Sequence, residues 1–374
     1  MREIIFHGKM PNPFLKENGT RMTPEEWPLY RDKIRDMIVD IEFGGMPPRP
    51  EYLRIEPLTN PRRGHVSTWY KIYAGTKEKQ VSFTLELSVP LIIPPEQEYD
   101  PWEAEEHFPV ILTSDGCYHN MESDVIEEAH KRGFIAAKFN RLELANDCFG
   151  SREGGLHNVY EGDYSDISAW AWGYMVCIDV FLQLPFFDET KVGITGHSRG
   201  GKTVMLAATV DERIKYVCPN NSGCHGPVSH RCELHEQPLY PRRTETLVDM
   251  FKNMPTWMGP KLKEYENCVE NLPYDMHYFG ALIAPRYYLQ CEGMQDYWIN
   301  PIGAWQNFMA VKECYKYLGC EDHAAGWFRP GGHRHKLPDY AEFLDFIVRA
   351  KEGLPLREHL QINPYPDVPR NFDW

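Results

Sequence analysis

Ser198 lies in Gly196-His197-Ser198-Arg199-Gly200, between an apolar run at 191–195 and a helical pattern at 201–209. A serine on a sharp turn from a buried strand into a helix is the setting of a nucleophile elbow. Glycines at 196 and 200 fit that turn, because strand and helix approach too closely there for side chains. The helix N-terminus behind the serine also offers backbone N–H groups to a developing oxyanion. The same stretch satisfies a phosphate-binding pattern, Gly196 followed by Gly201-Lys202-Thr203. A phosphate loop usually opens its domain and needs an acid at a strand end for magnesium. Here several strands precede the motif, and an acid and a histidine follow it.

A serine hydroxyl needs a base to take its proton and an acid to fix the tautomer of that base, in the chain order serine, acid, histidine for this kind of elbow. Past an apolar run at 286–290 comes Cys291-Glu292-Gly293-Met294-Gln295-Asp296, and past another at 326–329 comes Pro330-Gly331-Gly332-His333-Arg334-His335. Asp296 and His333 are the expected acid and base. Glu292, nearer the strand, and His335 are the alternatives. Asp296 could otherwise cap the helix that follows. A His-x-His pair could ligate metal, but no third ligand stands at a suitable spacing, so no metal or cofactor is expected.

The elements needed to hold these residues are visible around them. Thr23-Pro24-Glu25-Glu26 signals a helix start, running to about residue 42. Runs at 65–73 and 80–90 suggest an antiparallel hairpin at a sheet edge. Short apolar runs at 109–113, 134–139, 191–195, 216–219, 286–290 and 326–329 then alternate with helical stretches at 122–131, 167–184, 201–209, 302–318 and 338–350. This is the pattern of a mostly parallel sheet covered by helices on both faces. The expected architecture is a single α/β-hydrolase domain over 1–374, a three-layer sandwich with an N-terminal wrapping segment at 1–64. Residues 223–271 fit no strand and are expected to sit above the sheet as an insertion.

Composition narrows the function. With 42% hydrophobic residues the 374-residue chain can bury a large core, and a net charge of −14 with scattered Lys and Arg gives no face for nucleic acid. No run is apolar enough to span a membrane. The N-terminus Met1-Arg2-Glu3-Ile4-Ile5-Phe6 lacks the apolar core of a signal peptide, which gives the expectation of a cytoplasmic protein, or of a secreted one if the natural chain begins earlier. The ten cysteines, Cys148 among them, form no Cys-x-x-Cys pair and read as reduced, mostly buried thiols.

Several ordered motifs together resemble the glucuronoyl esterases of carbohydrate esterase family 15, particularly bacterial members. They are Phe43-Gly44-Gly45-Met46-Pro47-Pro48, Ala169-Trp170-Ala171-Trp172-Gly173, the Ser198 elbow with Lys202, Asn221-Ser222-Gly223-Cys224, Leu282-Ile283-Ala284-Pro285-Arg286, Asp296-Tyr297-Trp298 and Gly331-Gly332-His333. The resemblance implies hydrolysis of glucuronic or 4-O-methylglucuronic esters through an acyl-enzyme. It implies that the backbone and guanidinium of Arg199 stabilise the oxyanion, that Lys202 bonds sugar hydroxyls, and that the uronic acid packs on Trp298. It also implies that Glu245, in Arg242-Arg243-Thr244-Glu245 with Trp257 downstream, binds the sugar diol. Lys202, Trp298 and Glu245 could otherwise be a solvated lysine, a core aromatic and a surface acid; Trp170 and Trp172 are read as packing residues. In some members the acid follows the strand after the nucleophile helix, and the matching position here is the neutral Asn221. The loop Ser114-Asp115-Gly116-Cys117-Tyr118-His119 departs from the family run. The rival readings are an acetyl or other short-chain esterase with the same triad, and a catalytically idle carbohydrate-binding homologue.

Overall fold

The computed structural model describes residues 2–59, 67–90, 107–118, 121–147, 150, 152–184, 186–236 and 243–374. In chain order the elements are β1 (Arg2–Phe6), α1 (Trp27–Phe43), β2 (Tyr52–Pro57), β3 (Thr68–Gly75), β4 (Gln80–Ser88), β5 (Phe108–Thr113), α2 (Ser123–Lys131), β6 (Ile135–Phe139), α3 (Asp166–Phe181), β7 (Phe187–His197) and α4 (Arg199–Val210). There follow β8 (Ile214–Asn220), β9 (Cys232–Glu236), α5 (Leu247–Asn253), α6 (His277–Ile283), β10 (Tyr287–Gly293), α7 (Pro301–Tyr317), β11 (Ala324–Arg329) and α8 (Leu337–Glu352).

Among the described residues nine strands form the main sheet in the order β11-β10-β8-β7-β5-β6-β4-β3-β2. From β11 to β6 neighbours run parallel, and β4, β3 and β2 continue as an antiparallel ribbon. Alternation along β5 shows why the layers form: Val110 and Leu112 join the core beneath α1, α3, α4, α6 and α7, while Ile111 joins the core beneath α2 and α8. Among the described residues no helix is long and apolar enough to cross a membrane.

Three expectations need correction. The helix begins at Trp27, with Pro28 in its first turn, because Thr23 to Glu26 forms a turn of its own: Glu26 reaches back to the Thr23 N–H at 2.9 Å. The β3–β4 hairpin lies one strand in from the edge, since β2 pairs outside β3. Residues 65 and 66 of the first expected run, with His119, Cys148 and Arg242, lie outside the described residues. Finally, 223–271 does contain a strand: β9 pairs antiparallel with β1 in a separate two-stranded sheet. The nine described cysteines are free and most are buried.

α3 is buried almost along its whole length. Ser165 caps it by accepting from the Ser168 N–H at 3.1 Å, and the Ser168 hydroxyl donates to the Gly45 carbonyl at 2.7 Å, just past the left-handed Gly44 that ends α1. Trp170 and Trp172 are packing residues whose indole N–H groups donate to the Ala145 and Pro48 carbonyls. The α1 terminus is thereby fastened to the helix whose Tyr174 hydroxyl donates to the Thr195 carbonyl of β7.

Candidate active site

Ser198 stands between β7 and α4 with φ 56° and ψ −119°. A non-glycine residue at positive φ stores strain of about 1–3 kcal/mol and persists only when its surroundings impose it. Here they do. The Ser198 N–H donates to the Asn220 carbonyl at 2.8 Å, and the Ser198 carbonyl accepts from the Gly201 and Lys202 N–H groups at 2.9 and 3.2 Å. A Cβ on Gly196 would lie 2.3 Å from the Gly200 carbonyl oxygen, and one on Gly200 would lie 2.3 Å from the Asp115 carboxylate.

Asp115, in the loop that departs from the family run, lies at the site with partners that carried no sequence signal. Its Oδ2 accepts the His197 N–H at 2.7 Å, and its other oxygen pairs with the buried Arg141, whose guanidinium lies 5.1 Å from the centre of the Trp170 ring. A buried ion pair therefore pins the backbone just before Ser198. The N–H groups of Ser114 and Asp115 are bound to the Tyr174 hydroxyl and the Thr113 hydroxyl.

Asp296 and His333, from the ends of β10 and β11, meet with His333 Nδ1 2.6 Å from Asp296 Oδ2. Asp296 is nearly buried, whereas the His333 side chain is 41% exposed and so accessible to a substrate. The same Oδ2 accepts from Asn221 Nδ2 at 2.8 Å. The His197 ring packs 4.3 Å from that of His333, and burial, with the adjacent His333, pushes the His197 imidazole down to about 4. The two alternatives are more deeply enclosed. His335 is enclosed, stacked on Tyr340 at 4.1 Å, and burial holds its pKa well below 6.5. Glu292 is also enclosed, accepts from Gln290 at 3.2 Å, and is pushed well above 4.5 by burial and then by Asp296.

Of the residues expected to hold substrate, Trp298 is 46% exposed on a short turn after Asp296, and its carbonyl accepts the Glu245 N–H at 3.2 Å. The two are thus brought together across the insertion. Burial, partly offset by Lys202, raises the Glu245 pKa. Lys202 is no solvated residue of a first helical turn: it is 2% exposed and its ammonium donates to the Ser222 carbonyl at 2.5 Å and to that of Cys224. Burial lowers its pKa, opposed by Glu245. The Arg199 guanidinium pairs with Asp147 and lies 4.8 Å from the centre of the Trp257 ring, while its backbone N–H stands at the head of α4. Asp147 carried no sequence signal, because nothing in its spacing points to Arg199.

Comparison with known proteins bears on the family and the fold. A family model described as "Glucuronyl esterase, fungi" matches residues 72–319. A 4-O-methyl-glucuronoyl methylesterase 1 of Wolfiporia cocos is 25% identical over 358 residues, covering 91% of this chain and 81% of that protein. One from Hypocrea jecorina is 28% identical over 337 residues, covering 88% and 66%. Among solved structures, a carbohydrate esterase family 15 glucuronoyl esterase from Caldicellulosiruptor kristjansonii superposes with TM-score 0.78 at 24% identity, over 98% of both chains. A Sporotrichum thermophile glucuronoyl esterase in complex with methyl 4-O-methyl-beta-D-glucopyranuronate superposes with TM-score 0.74 at 22% identity, over 96% and 93%. With the family model covering about two thirds of its length, the chain belongs to the glucuronyl esterase family.

Proposed function

We propose that the chain hydrolyses esters of glucuronic or 4-O-methylglucuronic acid, with Ser198 as nucleophile, His333 as base and Asp296 as the acid that holds it. The observation that carries this reading is the 2.6 Å bond from His333 Nδ1 to Asp296, made at the strand ends with the His333 ring 4.3 Å from that of His197, the residue before the strained Ser198. Because Nδ1 donates to the carboxylate, Nε2 is left with the lone pair that can take the serine proton.

His333 removes the Ser198 proton as Oγ attacks the ester carbonyl, and the oxyanion forms against the Arg199 N–H. The imidazolium then gives that proton to the departing alcohol, leaving the uronoyl ester on Ser198. Water, deprotonated by His333, attacks this ester; the proton returns to Ser198 and the uronic acid departs. Trp298 offers the sugar an aromatic face, and the carboxyl of Glu245 suits its hydroxyls.

The named relatives support a uronate over an acetate substrate. The test is to compare turnover of methyl 4-O-methylglucuronate with that of an aryl acetate. Preference for the uronate is expected, and activity confined to the acetate would overturn the substrate assignment.

A further inference from the structure

Asn221 follows β8 with φ 45°, its side chain fully buried and its N–H bonded to the Cys291 carbonyl at 2.9 Å. Its amide lies between two partners that dictate how it points. Arg329 Nη2 approaches Asn221 Oδ1 at 3.2 Å, and a guanidinium can only donate. The amide oxygen must therefore face Arg329, which turns the NH2 group onto Asp296 Oδ2 at 2.8 Å. That oxygen must accept, and it is the one that also receives His333 Nδ1.

Arg329 is itself anchored. It pairs with the buried Asp339 at the start of α8 and donates to the Arg334 carbonyl at 2.7 Å and to that of Gly332 at 3.4 Å, so it holds the loop carrying His333 from both sides. Gly293 leaves the space: a Cβ there would come within 3.1 Å of Asn221 Nδ2. The titratable and charged groups around this chain are Asp296, His333, His197, Glu292, Arg329 and Asp339.

We propose that Asn221 is a positioning residue: the donor chain from Arg329 through Asn221 to Asp296 aims the Asp296 carboxylate and thereby fixes His333 as the tautomer with its proton on Nδ1. The inference rests on the proposed roles of Ser198, His333 and Asp296. A neutral amide suits the position because a carboxylate there would face Asp296 at hydrogen-bond distance, where two carboxylates cannot both ionise readily.

Two variants test this. Asn221→Gly tolerates the positive φ and removes the amide; Asn221→Asp keeps the shape and adds a titratable group. For ester hydrolysis, Asn221→Gly should lose tenfold or more in kcat with KM within threefold of wild type. Asn221→Asp should show an ionisation in its pH profile that wild type lacks. The Nδ1 proton of His333, followed by NMR, gives a readout that does not depend on the substrate: it should move in both variants. The proposal is overturned by wild-type kcat in Asn221→Gly even with a lowered Tm, by superimposable pH profiles in Asn221→Asp, or by an unmoved Nδ1 resonance in either variant. Absence of ester hydrolysis by wild type would strike the proposed substrate instead, and the resonance would still decide the role of Asn221.

Discussion

Replacing Glu292 with glutamine should stabilise the protein as pH rises while leaving catalysis almost unchanged. The carboxyl is fully buried; one oxygen accepts from Gln290, and the other has no hydrogen-bond partner among the described residues. Burial, then the Asp296 charge, lifts its pKa well above the ordinary 4.5. Well below 4.5 the folded and unfolded chains both hold the proton. Above it the unfolded chain releases the proton and the folded chain does not, so stability is lost with rising pH until the folded pKa is passed. Each pH unit over which the folded carboxyl keeps its proton corresponds to a loss of about 1.4 kcal/mol. An amide cannot titrate. Its unpaired N–H groups add a fixed cost, but the stability of Glu292→Gln relative to wild type should climb by about 1.4 kcal/mol for each pH unit above 4.5 over which the wild-type carboxyl stays protonated. Urea unfolding at several pH values measures the difference directly. Ester hydrolysis should stay within a few-fold of wild type, because His333 is bonded to Asp296. Parallel stability curves would show that Glu292 is ionised in the fold, and a hundredfold loss of activity would show that it serves the histidine.

Asp296→Asn should retain the fold and lower kcat by about 10³–10⁴, since an amide facing His333 Nδ1 favours the wrong tautomer; turnover under saturating ester checks it. Gly200→Ala places a methyl on the Asp115 carboxylate that holds the His197 N–H, so overpacking of about 1–3 kcal/mol should lower Tm and activity together. Glu42 accepts from His225, His230 and Tyr274 in a wholly buried cluster behind Cys224, and Glu42→Gln should cost about 3–5 kcal/mol in urea unfolding by leaving an imidazolium uncompensated.

The positions of Ser198, Asp296 and His333 in the fold were legible because each depends on local context: a serine between a buried strand and a helix, then an acid and a histidine just past later strands. The parallel strands were legible for a similar reason, since burial on both faces leaves unbroken apolar runs. The β1–β9 sheet was not, because its partners lie about 230 residues apart and the polar residues of Cys232–Glu236 do not read as a core strand. The choices between Asp296 and Glu292 and between His333 and His335 turned on depth. In each pair one side chain is enclosed, and spacing alone carries no measure of enclosure. Asn221 read from sequence as a missing acid. Its donor role depends on a positive φ and on Arg329, from a strand 108 residues further on. The pairings of Asp115 with Arg141 and of Asp147 with Arg199 were hidden in the same way.

The central claim is tested most directly by the rate of methanol release from methyl 4-O-methylglucuronate by wild type and by Ser198→Ala, with both shown to be folded. Wild type should turn the ester over, and Ser198→Ala should lose about 10⁶-fold in kcat, the scale seen when a triad serine is removed. A Ser198→Ala protein that still released methanol at a rate near wild type would contradict the assignment of Ser198 as the nucleophile.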